Sequence, residues 1–424
     1  MALLFGGLAD DLTGGMELAA MLTAAGVRCA LVTTADRVAE LDTSFDAIII
    51  AQKTRVIPAA SAVAAIGAGA NALRARGARQ LFLKYCATFD STDAGNIGPC
   101  ADLLRALTGA SLTAFCPSFP EAGRRVFQGH LFYDDMLISE SPKRLDPLTP
   151  MLDPNLVRVL QRQTQVRVGL IHHQAVRGSL AGLQACADAM RAAGIGYAIA
   201  DATEPEDLQA LAGLTWNWPL MTGNSSIAAY YPALWRKHGW LGRGSASTTL
   251  PSVGGAAAVL AGSCAERTIE QLRAFEQHRP VLWIDVERAI DGVDAISEAV
   301  AWALAHLGTG PVAVATSANA TTVARVHARL GLHEAATLAE DILGQVAVRL
   351  HAAGVQRFVV CGGETSGSVL KHLELEELHV GPYIRPGVAR AVSSGKAPIA
   401  LCLKSGKLGP VDMLLPMLAS MEQP

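Results

Sequence analysis

The stretch Cys361-Gly362-Gly363-Glu364-Thr365-Ser366-Gly367 follows the apolar run Phe358-Val359-Val360 and leads into Ser368-Val369-Leu370-Lys371. An extended apolar run, two glycines and a hydroxyl pair opening a helical pattern is how a chain builds an anion site. Glycine lets the backbone approach an oxyanion, and the unpaired N–H groups of a helix start point at it. Phosphate is the anion such a turn suits. The same residues also make a plain strand-to-helix turn with Thr365 as its N-cap. On these residues alone the two readings stand level, and the surrounding chain has to separate them.

At 424 residues the chain exceeds what a single core holds, so two domains are expected. Half of its residues are hydrophobic and 40 are glycine, the composition of a soluble, core-rich α/β protein. A net charge of −3 leaves no basic footprint for nucleic acid. The eight cysteines form no CxxC pair and no metal-like spacing, and several sit in apolar runs. They read as buried free thiols in a reducing cytoplasm. The run Ala2-Leu3-Leu4-Phe5 has no basic region before it and ends at Gly6-Gly7, so it reads as a first strand and not as a signal peptide. No run reaches the ~18 apolar residues of a membrane helix. A cytoplasmic protein without nucleic-acid or membrane partners is expected.

Short apolar runs alternate with helix-period segments, which predicts parallel β/α layers. Strands are expected at residues 3–8, 29–32, 47–51, 81–84 and 113–116, with helices over 13–25, 58–76 and 96–107. Residues 117–150 are less regular and rich in proline, glycine and charge. The alternation resumes with strands at 166–171, 197–200 and 220–222 and helices over 180–193 and 207–214. It lapses at His238-Gly239-Trp240-Leu241-Gly242-Arg243-Gly244-Ser245 and on to Pro251, the best place for a linker. A second series follows, with strands at 256–260, 281–285, 312–315, 358–361 and 399–404, a long helix over 339–353 and a helical tail. The organisation expected is two α/β domains with mostly parallel sheets and an interdomain cleft. They would span residues 1–240 and 255–424, joined by a linker over 241–254.

In Leu8-Ala9-Asp10-Asp11-Leu12-Thr13-Gly14-Gly15, two adjacent carboxylates stand where the first strand should end. Open α/β sheets bind ligands outside the C-terminal ends of their strands. Adjacent acids there suit orienting and deprotonating a sugar hydroxyl, or helping hold Mg²⁺ through water. The plain alternative is an aspartate N-cap, for which one carboxylate suffices. Arg55, in Gln52-Lys53-Thr54-Arg55 after the third strand, is placed to grip a carboxylate bidentately, though a solvated arginine would look the same. The loop from Lys84 to Asn96 is dense in hydroxyls and carboxylates behind a leading lysine, residues that also serve as turn formers. Three such loops after three strands make a concave polar site, with cations for an acid and carboxylates for hydroxyls. That is a sugar-acid pocket.

In the second half, Leu260-Ala261-Gly262-Ser263-Cys264-Ala265-Glu266-Arg267-Thr268 repeats the strand, small turn and helix start, and Leu403-Lys404-Ser405-Gly406-Lys407-Leu408-Gly409 is a third such turn. None fits the Walker pattern, no G-x-G-x-x-G follows the first strand, and no G-x-S-x-G elbow occurs. His172-His173 lies at a strand end without a third ligand near it in sequence and reads as structural or peripheral.

Together, Ala9-Asp10-Asp11-Leu12-Thr13-Gly14, the run from Lys84 to Thr92 with Gly95-Asn96-Ile97-Gly98-Pro99, Pro147-Leu148-Thr149-Pro150-Met151, Gly362 to Gly367 and Leu403-Lys404-Ser405-Gly406 resemble the four-carbon acid sugar kinase family. The likeness runs end to end in matching order. It looks closest to the 3-oxo-tetronate 4-kinase branch, whose central loop has the longer Cys-Ser-Thr-Phe-Asp-Ser-Thr form. The resemblance implies an N-terminal sugar-acid-binding domain and a C-terminal nucleotide-binding domain. ATP, with Mg²⁺, would phosphorylate the C4 hydroxyl of a four-carbon acid, 3-oxo-tetronate first. Asp11 or Asp10 would orient and deprotonate that hydroxyl, and Asp11, Arg55, Lys84, Asp90, Ser91 and Asn96 would face the substrate. Gly262, Ser263, Gly362, Gly363, Glu364, Thr365 and Gly406 would contact ATP.

The expected partners are thus a small sugar acid and ATP, with a homodimer as the candidate assembly. The chain departs from the family at Ala87, Ala261 and Ala265, where Ser is common, at Lys407-Leu408, in Gly387-Val388-Ala389-Arg390 and at Asp146. These departures keep two alternatives in view: a D-threonate or D-erythronate 4-kinase, and a sugar-acid sensor that binds without turnover.

Overall fold

The computed structural model of the protein describes residues 3–146, 148–242, 249–395 and 397–422. Ala2, Pro147 of the quoted motifs and residues 243–248 of the expected linker lie outside the described residues. The chain divides into two compact units, Met1–Ser247 and Thr248–Pro424.

In the first unit the strands are β1 (Phe5–Ala9), β2 (Cys29–Val32), β3 (Ala47–Ala51), β4 (Gln80–Lys84), β5 (Thr113–Cys116), β6 (Arg124–Phe127), β7 (His130–Tyr133), β8 (Met136–Leu137), β9 (Val168–Ile171), β10 (Tyr197–Ala200) and β11 (Leu220–Gly223). Eight of them pair in parallel in the order β2-β3-β1-β4-β11-β5-β10-β9. β3 reads Ala-Ile-Ile-Ile-Ala with every position buried. That is the continuous apolar run required of a parallel strand covered on both faces. Leu8, Ile48, Ile50, Tyr85, Phe89, Phe115 and Tyr197 meet in the main core.

Residues 117–150, irregular as sequence, contain the antiparallel sheet β6-β7-β8. Gln128 and Gly129 join β6 to β7 with φ of 50° and 71°, the two positive values a tight hairpin turn needs. Such short strands leave no periodic signal long enough to read.

The second unit contributes β12 (Ala256–Ala261), β13 (Val281–Trp283), β14 (Val312–Ala315), β15 (Val355–Cys361), β16 (Glu377–Val380), β17 (Val388–Ser393) and β18 (Ala400–Lys404). Their order is β13-β14-β12-β15-β18-β17-β16, parallel except for the antiparallel pairs β18-β17 and β17-β16. Val259, Val359, Cys361, Cys402 and Leu414 share its core. The long helix runs Leu332–Ala352, starting earlier than expected. Among the described residues no helix is long and apolar enough to cross a membrane, and all eight cysteines are free.

Candidate active site

β1 is where strand order reverses in the first unit, with β3 and β2 on one side and β4 and β11 on the other. The loops leaving β1, β3 and β4 therefore open around one crevice. Asp11 caps the helix Leu12–Ala24, its Oδ1 accepting from Gly14 N at 2.8 Å. The same oxygen lies 3.0 Å from Arg55 Nη2. Cap and site are thus one residue. Asp10 receives Arg55 bidentately, Nε on Oδ2 and Nη2 on Oδ1, both at 2.8 Å.

Lys84 ends β4 and is almost wholly buried, its ammonium donating to Tyr85 O at 3.0 Å. A Cβ on Gly14 would stand 2.5 Å from both Asp11 Oδ1 and Lys84 Nζ. Only a glycine lets the helix start sit this close to both charges. Burial raises the Asp10 carboxyl against the pull of Arg55. Burial acts on Asp11 too, but Arg55, Lys84 and the Gly14 N–H outweigh it and hold that carboxyl below its usual range.

The loop after β4 carries two consecutive non-glycine residues in left-handed backbone, Phe89 at φ 63° and Asp90 at 37°. Each costs about 1–3 kcal/mol, a strain that clusters at functional sites. Burial of Phe89, edge-on to Tyr85 at 5.3 Å between ring centroids, offsets it. Asp90 is thereby turned to accept from Thr88 Oγ1 at 2.7 Å and to pair with Lys143 Nζ at 2.7 Å. Lys143 also pairs with Asp146 at 2.8 Å. Ser91 Oγ accepts from Gln163 Nε2 at 2.8 Å.

Asn96, expected to face substrate, donates its amide to the carbonyls of Thr54, Arg55 and Ile57 at 2.7, 3.3 and 3.2 Å. It braces the loop that carries Arg55. Sequence reasoning missed Lys143, which sits in the irregular stretch and finds Asp90 only through the fold. His173 Nε2 lies 3.2 Å from Asp207 Oδ2, which can only accept, and 3.2 Å from Thr203 Oγ1, beside the capping box of the helix Pro205–Thr215.

β12 is the reversal point of the second unit, with β14 on one side and β15 on the other. Gly362 is the N-cap of the helix Gly363–His372, at φ 123° and with no side chain capping it. Thr365 lies inside the first turn, so the plain N-cap reading does not hold. A Cβ on Gly362 would lie 2.9 Å from Thr365 Oγ1 and 3.3 Å from Ser263 Cβ. One on Gly262 would collide with Thr365 Oγ1, and one on Gly406 with Ser263 Oγ. Three glycines therefore close around two hydroxyls at the start of a helix, a cradle for an anion.

Beside the cradle opens a cavity of about 390 Å³, lined on its glycine side by Gly262, Ser263, Gly362, Gly363, Glu364 and Thr365. Its far wall is apolar, with Ile284, Val286, Val323, Val326, Ala335 and Ala339, and Thr316, His327 and Glu340 add polar groups. The volume suits a small ligand, an apolar body with a few polar contacts. Sequence reasoning missed this wall, whose residues come from separate elements. Among the described residues no three His, Cys, Asp or Glu side chains gather as a metal site.

Comparison with known proteins matches residues 5–231 to a sugar-binding N-terminal domain and residues 258–414 to a nucleotide-binding C-terminal domain. The chain is 44% identical over 410 residues to the 3-oxo-tetronate kinase of Burkholderia multivorans, covering 96% of this chain and 95% of that one. It is 35% identical over 407 residues to the 3-oxo-tetronate kinase of Salmonella typhimurium, covering 95% and 96%. Among solved structures it is similar to Haemophilus influenzae protein HI1011, with a TM-score of 0.78 and 31% identity over 98% of this chain and all of the other.

Proposed function

We infer that this chain, which belongs to the family joining a sugar-binding N-terminal domain to a nucleotide-binding C-terminal domain, is an ATP-dependent kinase that phosphorylates the C4 hydroxyl of 3-oxo-tetronate. The observation that carries the reading is identity of 41% to 44% across nearly the whole chain to relatives named for that activity. Phosphoryl transfer asks a protein mainly to position its reactants and stabilise charge on the transferring group.

Asp11 is the residue we assign to the acceptor hydroxyl. Its Oδ1 is held by Gly14 and Arg55, which leaves Oδ2 to accept the C4 proton. Asp10 has both oxygens on Arg55 and so fixes that arginine, and through it Asp11. Lys84 has one bonded donor of the three an ammonium carries, and offers the others to oxygens of the acid. Asp90 and Ser91, held by Lys143 and Gln163, border the substrate, and Asn96 supports the Arg55 loop from behind.

In the second unit the apolar wall suits adenine, while Gly262, Ser263, Gly362, Gly363, Thr365 and Gly406 suit the phosphates. Glu340 and Glu364 line the cavity and are the carboxylates that would hold Mg²⁺, which when bound neutralises charge on the phosphates. A reducing compartment such as the cytoplasm fits the eight free thiols. A homodimer fits the exposure of Phe127, Leu145, Leu148 and Leu152, and a solution mass near the 44.3 kDa of one chain would refute it.

Initial rates of ADP release, with 3-oxo-tetronate, D-threonate and D-erythronate as acceptors, test the assignment. Turnover highest with 3-oxo-tetronate and a product phosphorylated at C4 is the expected result. ADP release with one of the other acids alone would move the substrate. Nucleotide binding without ADP release from any acid would replace the kinase by a sensor.

A further inference from the structure

Lys404 closes β18 and is fully buried. Its ammonium donates to Thr268 Oγ1 at 3.0 Å, and that hydroxyl donates in turn to Gly406 O at 2.8 Å. Its own carbonyl accepts from Gly362 N at 2.9 Å. One residue therefore anchors both the Gly362 and the Gly406 loops of the cradle. The titratable groups facing it are the thiols of Cys361 on β15 and Cys402 on β18, with Arg267 in the first turn of the helix Glu266–Glu276. Burial pushes the two thiols up, to about 11 and about 12, so both are neutral.

No carboxylate among the described residues pairs with Lys404. The other buried lysines differ: Lys143 has Asp90 and Asp146, and Lys84 lies in the field of Asp10 and Asp11. Burial weakens the hold of Lys404 on its proton, and Arg267 acts in the same direction despite the two thiols. The positive end of the helix Glu266–Glu276, whose first turn holds Thr268, works likewise. A buried cation without a counter-charge is costly unless an anion completes it.

Resting on the nucleotide-site reading of this cavity, we propose that Lys404 is a positioning residue of the cradle whose missing counter-charge is the phosphate of the bound nucleotide. Nucleotide then binds most tightly when Lys404 carries its proton. A bound anion strengthens that proton's hold, so binding takes up protons between the free and bound ionisation ranges. Affinity falls as pH rises through that window. A phosphate monoester has its second ionisation near pH ~6, so above pH ~8 the nucleotide itself does not supply the effect.

Titration calorimetry of the full chain with ADP, from about pH 8 to about pH 10 in buffers of different ionisation enthalpy, measures the uptake. The wild type should take up a fraction of a proton per ADP. K404M should bind ADP about tenfold more weakly, with the uptake gone. T268V, which keeps the lysine and removes its hydroxyl link, should also weaken ADP. It reports on the proposal should K404M fail to fold. Wild-type binding with no proton uptake overturns the proposal, as does wild-type ADP affinity in folded K404M or in T268V. A wild type that binds no ADP at all overturns the nucleotide-site reading, and this inference with it.

Discussion

Gly14→Ala tests the first-unit site through a single methyl group. The new Cβ would stand 2.5 Å from Asp11 Oδ1 and 2.5 Å from Lys84 Nζ, where ordinary contact begins at 3.4 Å. Each group must therefore retreat by about 0.9 Å, the difference between those distances. Both are side-chain ends and not backbone, so the fold has a way to yield. Overpacking costs about 1–3 kcal/mol, and alanine in the first turn of the helix returns up to ~1 kcal/mol over glycine. The net loss of about 0–3 kcal/mol lowers the melting temperature by a few degrees.

The chemistry has less latitude, since a misplacement of about 1 Å can cost about 100-fold in rate. We expect kcat for 3-oxo-tetronate to fall about 100-fold, with ADP affinity unchanged because the cradle lies in the other unit. Steady-state kinetics, ADP calorimetry and thermal unfolding of one preparation check all three parts. Wild-type kcat and KM in folded Gly14→Ala would refute the placement of Asp11 and Lys84.

Asp11→Asn keeps the cap geometry but removes the proton acceptor, and should lower kcat about 10²–10⁴-fold with ADP affinity intact, as read by single-turnover kinetics and calorimetry. Gly362→Ala forces a side chain into backbone at φ 123° and against Thr365 Oγ1. At about 1–3 kcal/mol of strain it should weaken ADP about 5- to 150-fold while sugar-acid binding persists. Lys143→Met leaves Asp90 and Asp146 without their cation and should cost about 2–4 kcal/mol in urea unfolding at neutral pH. Burial raises the Asp146 carboxyl, but Lys143 and the N–H groups of Thr149 and Leu148 outweigh it and bring it to about 2. Its stabilisation is complete above the unfolded value of about 3.9 and lost as pH falls toward about 2. Discounted for partial exposure it is worth about 1 kcal/mol, and Asp146→Asn should abolish that acid-side slope.

The parallel strands were legible because burial on both faces writes them as uninterrupted apolar runs, as in Ala47–Ala51. β16 and β17 were not. Glu377-Leu378-His379-Val380 alternates buried and less buried positions in an antiparallel pair, a signal only four residues long. At the site, the sequence pointed to Asp10 and Asp11 because two acids exceed what a cap needs. It could not show that Asp11 is cap and ion-pair partner at once, since Arg55 meets it only across β3 and β1. Thr365 looked like the cap because hydroxyls favour that position, yet Gly362 takes it. The positive φ there is open to glycine, and Thr365 is needed where the three glycine loops converge. Lys143 and the apolar cavity wall depend on tertiary packing alone.

The two sites differ in how they hold charge, and the difference matches what each is inferred to bind. In the first unit Asp10 and Asp11 stand against Arg55 and Lys84, and Asp90 and Asp146 share Lys143. That set carries no surplus of positive charge. A sugar acid bringing one carboxylate therefore gains little from net attraction there. Its affinity has to come from directed hydrogen bonds, such as the remaining donors of Lys84, which also distinguish one hydroxyl pattern from another. The cradle of the second unit is held differently, by a helix start and by Lys404, which no carboxylate among the described residues pairs. A ligand with several negative charges compensates both at once, whichever base it carries. Acceptor selectivity then rests on geometry in the first unit, and the hold on the phosphate donor rests on charge in the second.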